Sequence, residues 1–204
     1  MDCKKIIYEV KNYITRQFAN DPTGHDYNHM KRVAEWSRLI ALDEGADPFT
    51  AELSGWVHDI GDAKLFQDTD AAYQELDDFL KSLNVNVDQR EVVFAIIRDI
   101  SFSKGRIPDS IEGKIVQDAD RLDALGAIGI ARTFAYGGMH NQLIYNEEEQ
   151  KLTSIQHFYD KLLKLSQGMH TRKARQEAEQ RHIFMKKYLE QFFKEWNSIE
   201  RAGE

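Results

Sequence analysis

Apolar residues recur at helical spacing along almost the whole chain and nowhere alternate cleanly with period two. No other feature of the sequence constrains the fold as much. Ile7, Val10, Ile14 and Phe18 form one stripe, and Val33, Trp36 and Ile40 form a second. Val92 and Ile96 continue behind the cap candidate Asp88. Ile115, Ala119, Leu122, Gly126 and Ile130 extend a pattern that runs from Ile111 to Tyr136. Leu152, Ile155, Tyr159, Leu162 and Leu163 make a later amphipathic segment, and Ala174, Ala178, His182, Met185, Leu189 and Phe193 make the last. The three prolines mark expected helix starts: Pro22 in DPTGHDYNHM, Pro48 behind the N-cap candidate Asp47, and Pro108 ahead of the candidate caps Asp109 and Ser110. The expectation is one all-α domain over residues 1–204, with about seven to ten helices and strands absent or minor. No repeat, low-complexity tract or Gly/Ser linker divides it. YGGMHNQLIYNEEE, residues 136–149, reads as a long loop of the kind that often covers a site.

A chain of 204 residues can bury a sizeable core. Its formal charge of -7 argues against a protein that coats nucleic acid polymers. It leaves room for a small phosphorylated substrate, because a bound metal and a few basic side chains reverse the sign locally. There is no apolar run of membrane-spanning length and no signal-peptide pattern, so a cytoplasmic protein with no membrane partner is expected. The single cysteine, Cys3, excludes an internal disulfide framework and fits a reducing compartment.

Several polar residues interrupt the stripes. In GHDYNHMKRV, His29 shares a face with Val33 and Trp36, and Asp26 is a capping candidate beside His25. A lone histidine there is more often a core residue bonded to backbone. In GWVHDIGD, His58 and Asp59 end an apolar segment, where a carboxylate opposes the helix dipole, and Gly61 supplies a helix end. In KIVQDADRLDALGAIGIAR, Asp120 shares a face with Val116, Ala124 and Ala127. A carboxylate so placed costs several kcal/mol unless a cation or several donors meet it, and an ion pair with Arg121 or Arg32 is the plain solution. Each piece alone is weak. Together His29, His58, Asp59 and Asp120 are the donor set that Mn, Fe, Co, Ni or Zn uses, with coordination positions left for water and substrate.

The ordered motifs HDYNHMKRV, GWVHDIGD and QDADRLDALGAIGIART, with the tail HFYDKLLKL…MHTRKARQEAEQRHIFMKKYLEQF, resemble the small bacterial YedJ/YpgQ-like branch of the HD superfamily of metal-dependent phosphohydrolases. The resemblance covers nearly the whole chain. It implies a single-domain, HD-type helical bundle, with the metal-site core at about 25–130 and C-terminal helices over 147–200 completing the pocket. It implies one divalent ion per chain held by His29, His58, Asp59 and Asp120. Mn²⁺ leads the expectation, with Ni²⁺, Co²⁺, Fe²⁺, Zn²⁺ or Mg²⁺ as alternatives. The implied reaction is hydrolysis of (d)NTP to (d)NMP and pyrophosphate. A 5′-nucleotidase or phosphomonoesterase is the runner-up, and a non-catalytic nucleotide-binding sensor is a third reading. His25 is the one nearby candidate for the extra histidine that other branches carry.

Asp62, three residues past Asp59 and beyond the Gly61 turn, is the candidate general base, acting beside His58 and Asp59. The candidate phosphate contacts are Arg32, Lys64, Lys161, Arg175 and Arg181. Asp123 is placed with the substrate group and is equally suited to hold a histidine or an arginine. His140 and His157 flank the long loop and complete the candidates. The expected partner is a nucleotide-like small molecule, not a nucleic-acid polymer, with the protein a monomer or homodimer.

Overall fold

The computed structural model describes residues 2–18, 24–100, 106–149 and 151–197, so Pro22 lies outside the described residues. Among those residues the chain is helical throughout, with no strand. Seven helices come first: α1 (Cys3–Phe18), α2 (Tyr27–Glu44), α3 (Pro48–Val57), α4 (Thr69–Ser82), α5 (Val87–Ile100), α6 (Ile111–Asp123) and α7 (Gly126–Met139). A composite stretch follows, in which α8 (Ser154–His157), a π-helical turn (Phe158–Leu162), α9 (Leu163–Leu165) and a 3₁₀ turn (Ser166–Gly168) run together. The long α10 (Arg172–Trp196) closes the fold. Among the described residues no helix is long and apolar enough to cross a membrane.

Local chemistry explains most of the starts. Asp47 accepts from the amides of Phe49 and Thr50, with Pro48 as the first helical residue of α3. Asp26 caps α2 through the His29 amide, and Ser110 caps α6 through the Gly113 amide. At α5 the cap is Asn86, whose Oδ1 takes the Gln89 amide at 2.8 Å, two residues ahead of the expected Asp88. An α4 stripe of buried Ala72, Leu76 and Leu80 joins those read from the sequence.

Two expected boundaries move. The pattern from Ile111 to Tyr136 is two helices, because Leu125 is extended and Gly126 adopts a left-handed φ of 72° between α6 and α7. The apolar phase runs on across that break, which hides it from periodicity. The loop expected over 136–149 begins only after Met139. Gly137 is buried in α7, and a Cβ there would stand 2.2 Å from Ser154 Oγ, so this glycine permits close packing rather than loop freedom.

The apolar side chains form two cores, one on each side of the α2–α3 pair. Trp56, Ile14, Leu76 and their neighbours join α1, α4 and α5 to it. Phe158, Leu122, Met185 and theirs bring in α6, α7 and the C-terminal helices. Gly55 sets how closely α2 and α3 approach: a Cβ at 55 would stand 2.8 Å from Ala34 Cα and 2.9 Å from Ser37 Oγ. This crossing brings the first turn of α2, the end of α3 and the end of α6 to one place.

Candidate metal centre

Four side chains meet where those three helix ends converge. Asp26 fixes the first turn of α2 by accepting the His29 amide at 2.8 Å. His29 is fully buried, and its Nδ1 lies 2.7 Å from Asp123 Oδ2. That contact makes Nδ1 the proton-bearing nitrogen and turns Nε2 the other way. His58 ends α3, and its Nδ1–H donates back to the Gly55 carbonyl at 2.9 Å, which likewise aims Nε2 inward. Both Nε2 atoms are buried and without a hydrogen-bond partner among the described residues.

What faces them is carboxylate. His29 Nε2 stands 3.6 Å from Asp59 Oδ2 and 3.6 Å from Asp120 Oδ1. His58 Nε2 stands 3.3 Å from Asp59 Oδ1 and 3.8 Å from Asp120 Oδ1. Most of these separations are too long for good hydrogen bonds. Two ligands each about 2.1 Å from one ion, at octahedral to trigonal angles, stand roughly 3.0–3.6 Å apart. The cluster has the spacing of ligands around a common cation, and His29, His58 and Asp120 could hold a metal ion, as could His25, His29 and Asp59. Orphaned imidazole nitrogens and a mixed nitrogen–oxygen donor set both fit a divalent ion.

The electrostatics agree. Burial disfavours a charged His29, yet its bond to Asp123 and the facing Asp59 carboxylate outweigh that and raise its pKa to about 9. The position between the carboxylates thus attracts a cation, whether proton or metal. Burial pushes the Asp59 carboxyl up, and the imidazoles of His58, His25 and His29 more than reverse this, holding it well below the ordinary carboxylate range.

Asp123 is nearly inaccessible and makes no open surface for a substrate. Its Oδ2 takes His29 Nδ1, Arg32 Nη2 at 3.0 Å and Arg132 Nη1 at 2.7 Å, while Oδ1 takes Arg32 Nε at 2.5 Å. Burial raises this carboxyl, and the bonds from His29 and Arg32 with the charge of Arg132 hold it far below its usual range. Asp123 therefore orients His29 and anchors two arginines.

The remaining candidates separate into groups. Asp62 follows Gly61, whose φ is 78°, and its Oδ1 accepts the Lys64 amide at 2.8 Å while its carbonyl caps the amides of Leu65 and Phe66. Lys161 sits in the π-helical turn, a feature frequent at functional sites. Burial depresses its ammonium, Asp120 acts against that, and the nearby charges of Lys64 and Arg132 act with it. Asp120, Lys64 and Arg132 are thus the charges that Lys161 senses. His157 lies one turn before Lys161, and partial burial and the Lys161 charge lower its pKa.

The structure gives Arg175 other partners: it bonds the carbonyls of Met169 at 3.0 Å and His170 at 2.6 Å, closing the turn before α10. Arg181 bonds the Leu122 carbonyl at 2.6 Å and lies over the Trp36 ring, so it terminates α6. His140 bonds the Tyr136 carbonyl at 2.8 Å and stacks on that ring, contacts local to the end of α7. The bland partners weighed for Asp120 also resolve, since Arg32 pairs with Asp123 and Arg121 bonds the Gly168 carbonyl. Arg132 belongs to the site and escapes sequence reasoning, because it stands on a different helix from Asp123 and no period links them.

The HD domain family matches residues 26–125, the segment that carries all four cluster residues. YpgQ of Bacillus subtilis (strain 168), described as uncharacterized, is 37% identical over 196 residues, covering 94% of each chain. A solved HD-superfamily hydrolase from Bacillus thuringiensis is 40% identical, with a TM-score of 0.81 over 96% of this chain and 98% of that one. The crystal structure of Bacillus subtilis YpgQ in complex with ADP is 35% identical, with a TM-score of 0.80 over 93% of this chain and 97% of that one. A chain so similar along nearly its whole length, with histidines and aspartates gathered from three helix ends in the matched segment, belongs to the HD superfamily of hydrolases.

Proposed function

We propose that the chain is a divalent-metal-dependent nucleotide hydrolase that splits (d)NTP into (d)NMP and pyrophosphate. The observation that carries the reading is the pair of buried, partnerless nitrogens, His29 Nε2 and His58 Nε2, facing Asp59 and Asp120. In this reading these four residues hold the ion. When bound, a divalent ion supplies Lewis-acid polarisation of a phosphoryl oxygen and acidifies water. Imidazole nitrogens favour Mn²⁺-like transition ions over Mg²⁺, which prefers oxygen and water.

The chain's own groups supply the rest. Asp62 takes the proton of the water that attacks the α phosphorus, and the bond from that phosphorus to the bridging oxygen breaks, releasing pyrophosphate. Arg32 and Arg132, bonded to Asp123, and Lys161 with its neighbour Lys64 balance the charge of the triphosphate. Nucleotide as the substrate class draws support from the ADP complex of YpgQ, and the choice of bond from the resemblance to that group. The test is incubation of the protein with each (d)NTP and with Mn²⁺ or Mg²⁺, followed by chromatographic separation. Monophosphate with pyrophosphate is expected, faster with Mn²⁺. Orthophosphate released from monophosphates would replace the reading with a nucleotidase, and no turnover with any metal would leave a binding protein.

A further inference from the structure

The Asp59 carboxylate is held unlike Asp123. Asp123 is fixed by two arginines and a histidine, whereas the ion-pair partners of Asp59 among the described residues are imidazoles alone: His25, His29 and His58. Two of those belong to the cluster and stand at 3.6 and 3.3 Å. The third, His25, makes the one bond of ordinary length, Nδ1 to Asp59 Oδ2 at 2.8 Å. Once His29 and His58 give their Nε2 lone pairs to an ion, they have nothing left to donate to Asp59. A nearly buried carboxylate then keeps one side-chain donor among the described residues. We propose that His25 is a positioning residue for the metal centre: its Nδ1–H holds Asp59 Oδ2 and leaves Oδ1 turned to His58 Nε2.

The surroundings of His25 suit that task. Its ring stands edge-on to His29, with centroids 5.4 Å apart. It lies just outside the Asp26 cap, where its backbone takes no part in the α2 ladder. Gly24 before it adopts a φ of 91°, and the Arg132 side chain crosses that glycine, with Nε 3.1 Å from where a Cβ would stand. The arginine that anchors Asp123 thus also packs on the chain that delivers His25. The two outer supports of the site, Asp123 behind His29 and His25 behind Asp59, are joined there. Removing such an outer partner typically weakens metal affinity by about 10–100-fold.

The inference rests on the metal reading above, and the experiment separates the two. Mn²⁺ is titrated into the chelator-stripped chain, with free Mn²⁺ followed by electron paramagnetic resonance, for the wild type, His25→Ala, His25→Asn and His25→Gln. The Asn side-chain amide places an N–H near the position of Nδ1–H, while Gln reaches the position of the other ring nitrogen. His25→Ala and His25→Gln are expected to bind about 10–100-fold more weakly, and His25→Asn within about threefold of the wild type. The far-ultraviolet circular dichroism of the metal-free protein should be the same in all four, because a part-buried ring outside the helix carries little of the core. Uptake by His25→Ala equal to that of the wild type would overturn the role of His25 alone. His25→Asn as weak as His25→Ala would overturn it too, since the donor would then not be what matters. Absence of uptake by the wild type would instead overturn the metal reading.

Discussion

Replacing Asp123 by Asn keeps the shape of the side chain and removes its charge where donors converge. Oδ2 accepts from His29 Nδ1, Arg32 Nη2 and Arg132 Nη1, and Oδ1 accepts from Arg32 Nε. An amide must put an NH₂ at one of the two positions. Turned one way it meets three donors, and turned the other way it meets Arg32 Nε. Two guanidinium groups are then left sharing a pocket in which the side chain at 123 is 2% exposed. Deleting one partner of a buried charge pair costs about 3–5 kcal/mol. The two arginines are 31% and 20% exposed and can partly turn to water, which favours the lower end, about 3 kcal/mol. For a chain of this size each kcal/mol lowers Tm by about 2–4 °C, so the metal-free protein should melt about 6–12 °C lower. Even with its oxygen toward His29, a neutral amide accepts from Nδ1–H more weakly than a carboxylate and holds the ring less firmly, which should weaken Mn²⁺ binding by about 10–100-fold. Calorimetric melting in chelator and a Mn²⁺ titration check both. A Tm within about 2 °C of the wild type together with unchanged affinity would falsify the claim that Asp123 organises the site.

Three further outcomes are expected. His58→Ala or Asp120→Ala should abolish both ion uptake and nucleotide turnover; normal activity in either variant means that the ligand assignment is wrong. Asp62→Asn keeps an Oδ1 acceptor for the Lys64 amide, so the turn and the metal should persist while kcat falls roughly 10²- to 10⁴-fold. Turnover within about threefold of the wild type removes Asp62 as the base, and loss of metal would make it a ligand. Gly55→Ala forces a Cβ against Ala34 Cα at 2.8 Å, separating α2 from α3 and His29 from His58. Overpacking of this kind costs about 1–3 kcal/mol, so both Tm and Mn²⁺ affinity should drop, and an unaltered melt with unaltered affinity counts against the crossing as the determinant.

Much of the fold and of the cluster is legible in the sequence, for reasons that are local. Helical periodicity reports which face of each segment is buried, and Asp26, Asp47 and Ser110 announce the starts of α2, α3 and α6 through capping bonds three residues long at most. His29, His58, Asp59 and Asp120 are readable because polar groups on apolar faces need an explanation, and their order along the chain matches a known superfamily. The break at Gly126 is not readable, since the apolar phase passes through it unaltered, and neither is the helical state of residues 136–139, where buried Gly137 mimics a loop signal.

What tertiary structure alone decided is which side chains support the four. Arg132 reaches Asp123 from another helix, and His25 reaches Asp59 across 34 residues, distances over which no spacing rule operates. The same holds for the cations: Lys161, in a π-helical turn, senses the charge of Asp120, while Arg175 and Arg181, equally basic on paper, are spent on backbone carbonyls. Composition and period determine that a residue is buried or charged. Only the crossing of α2, α3 and α6, set by a missing Cβ at Gly55, determines which charges meet.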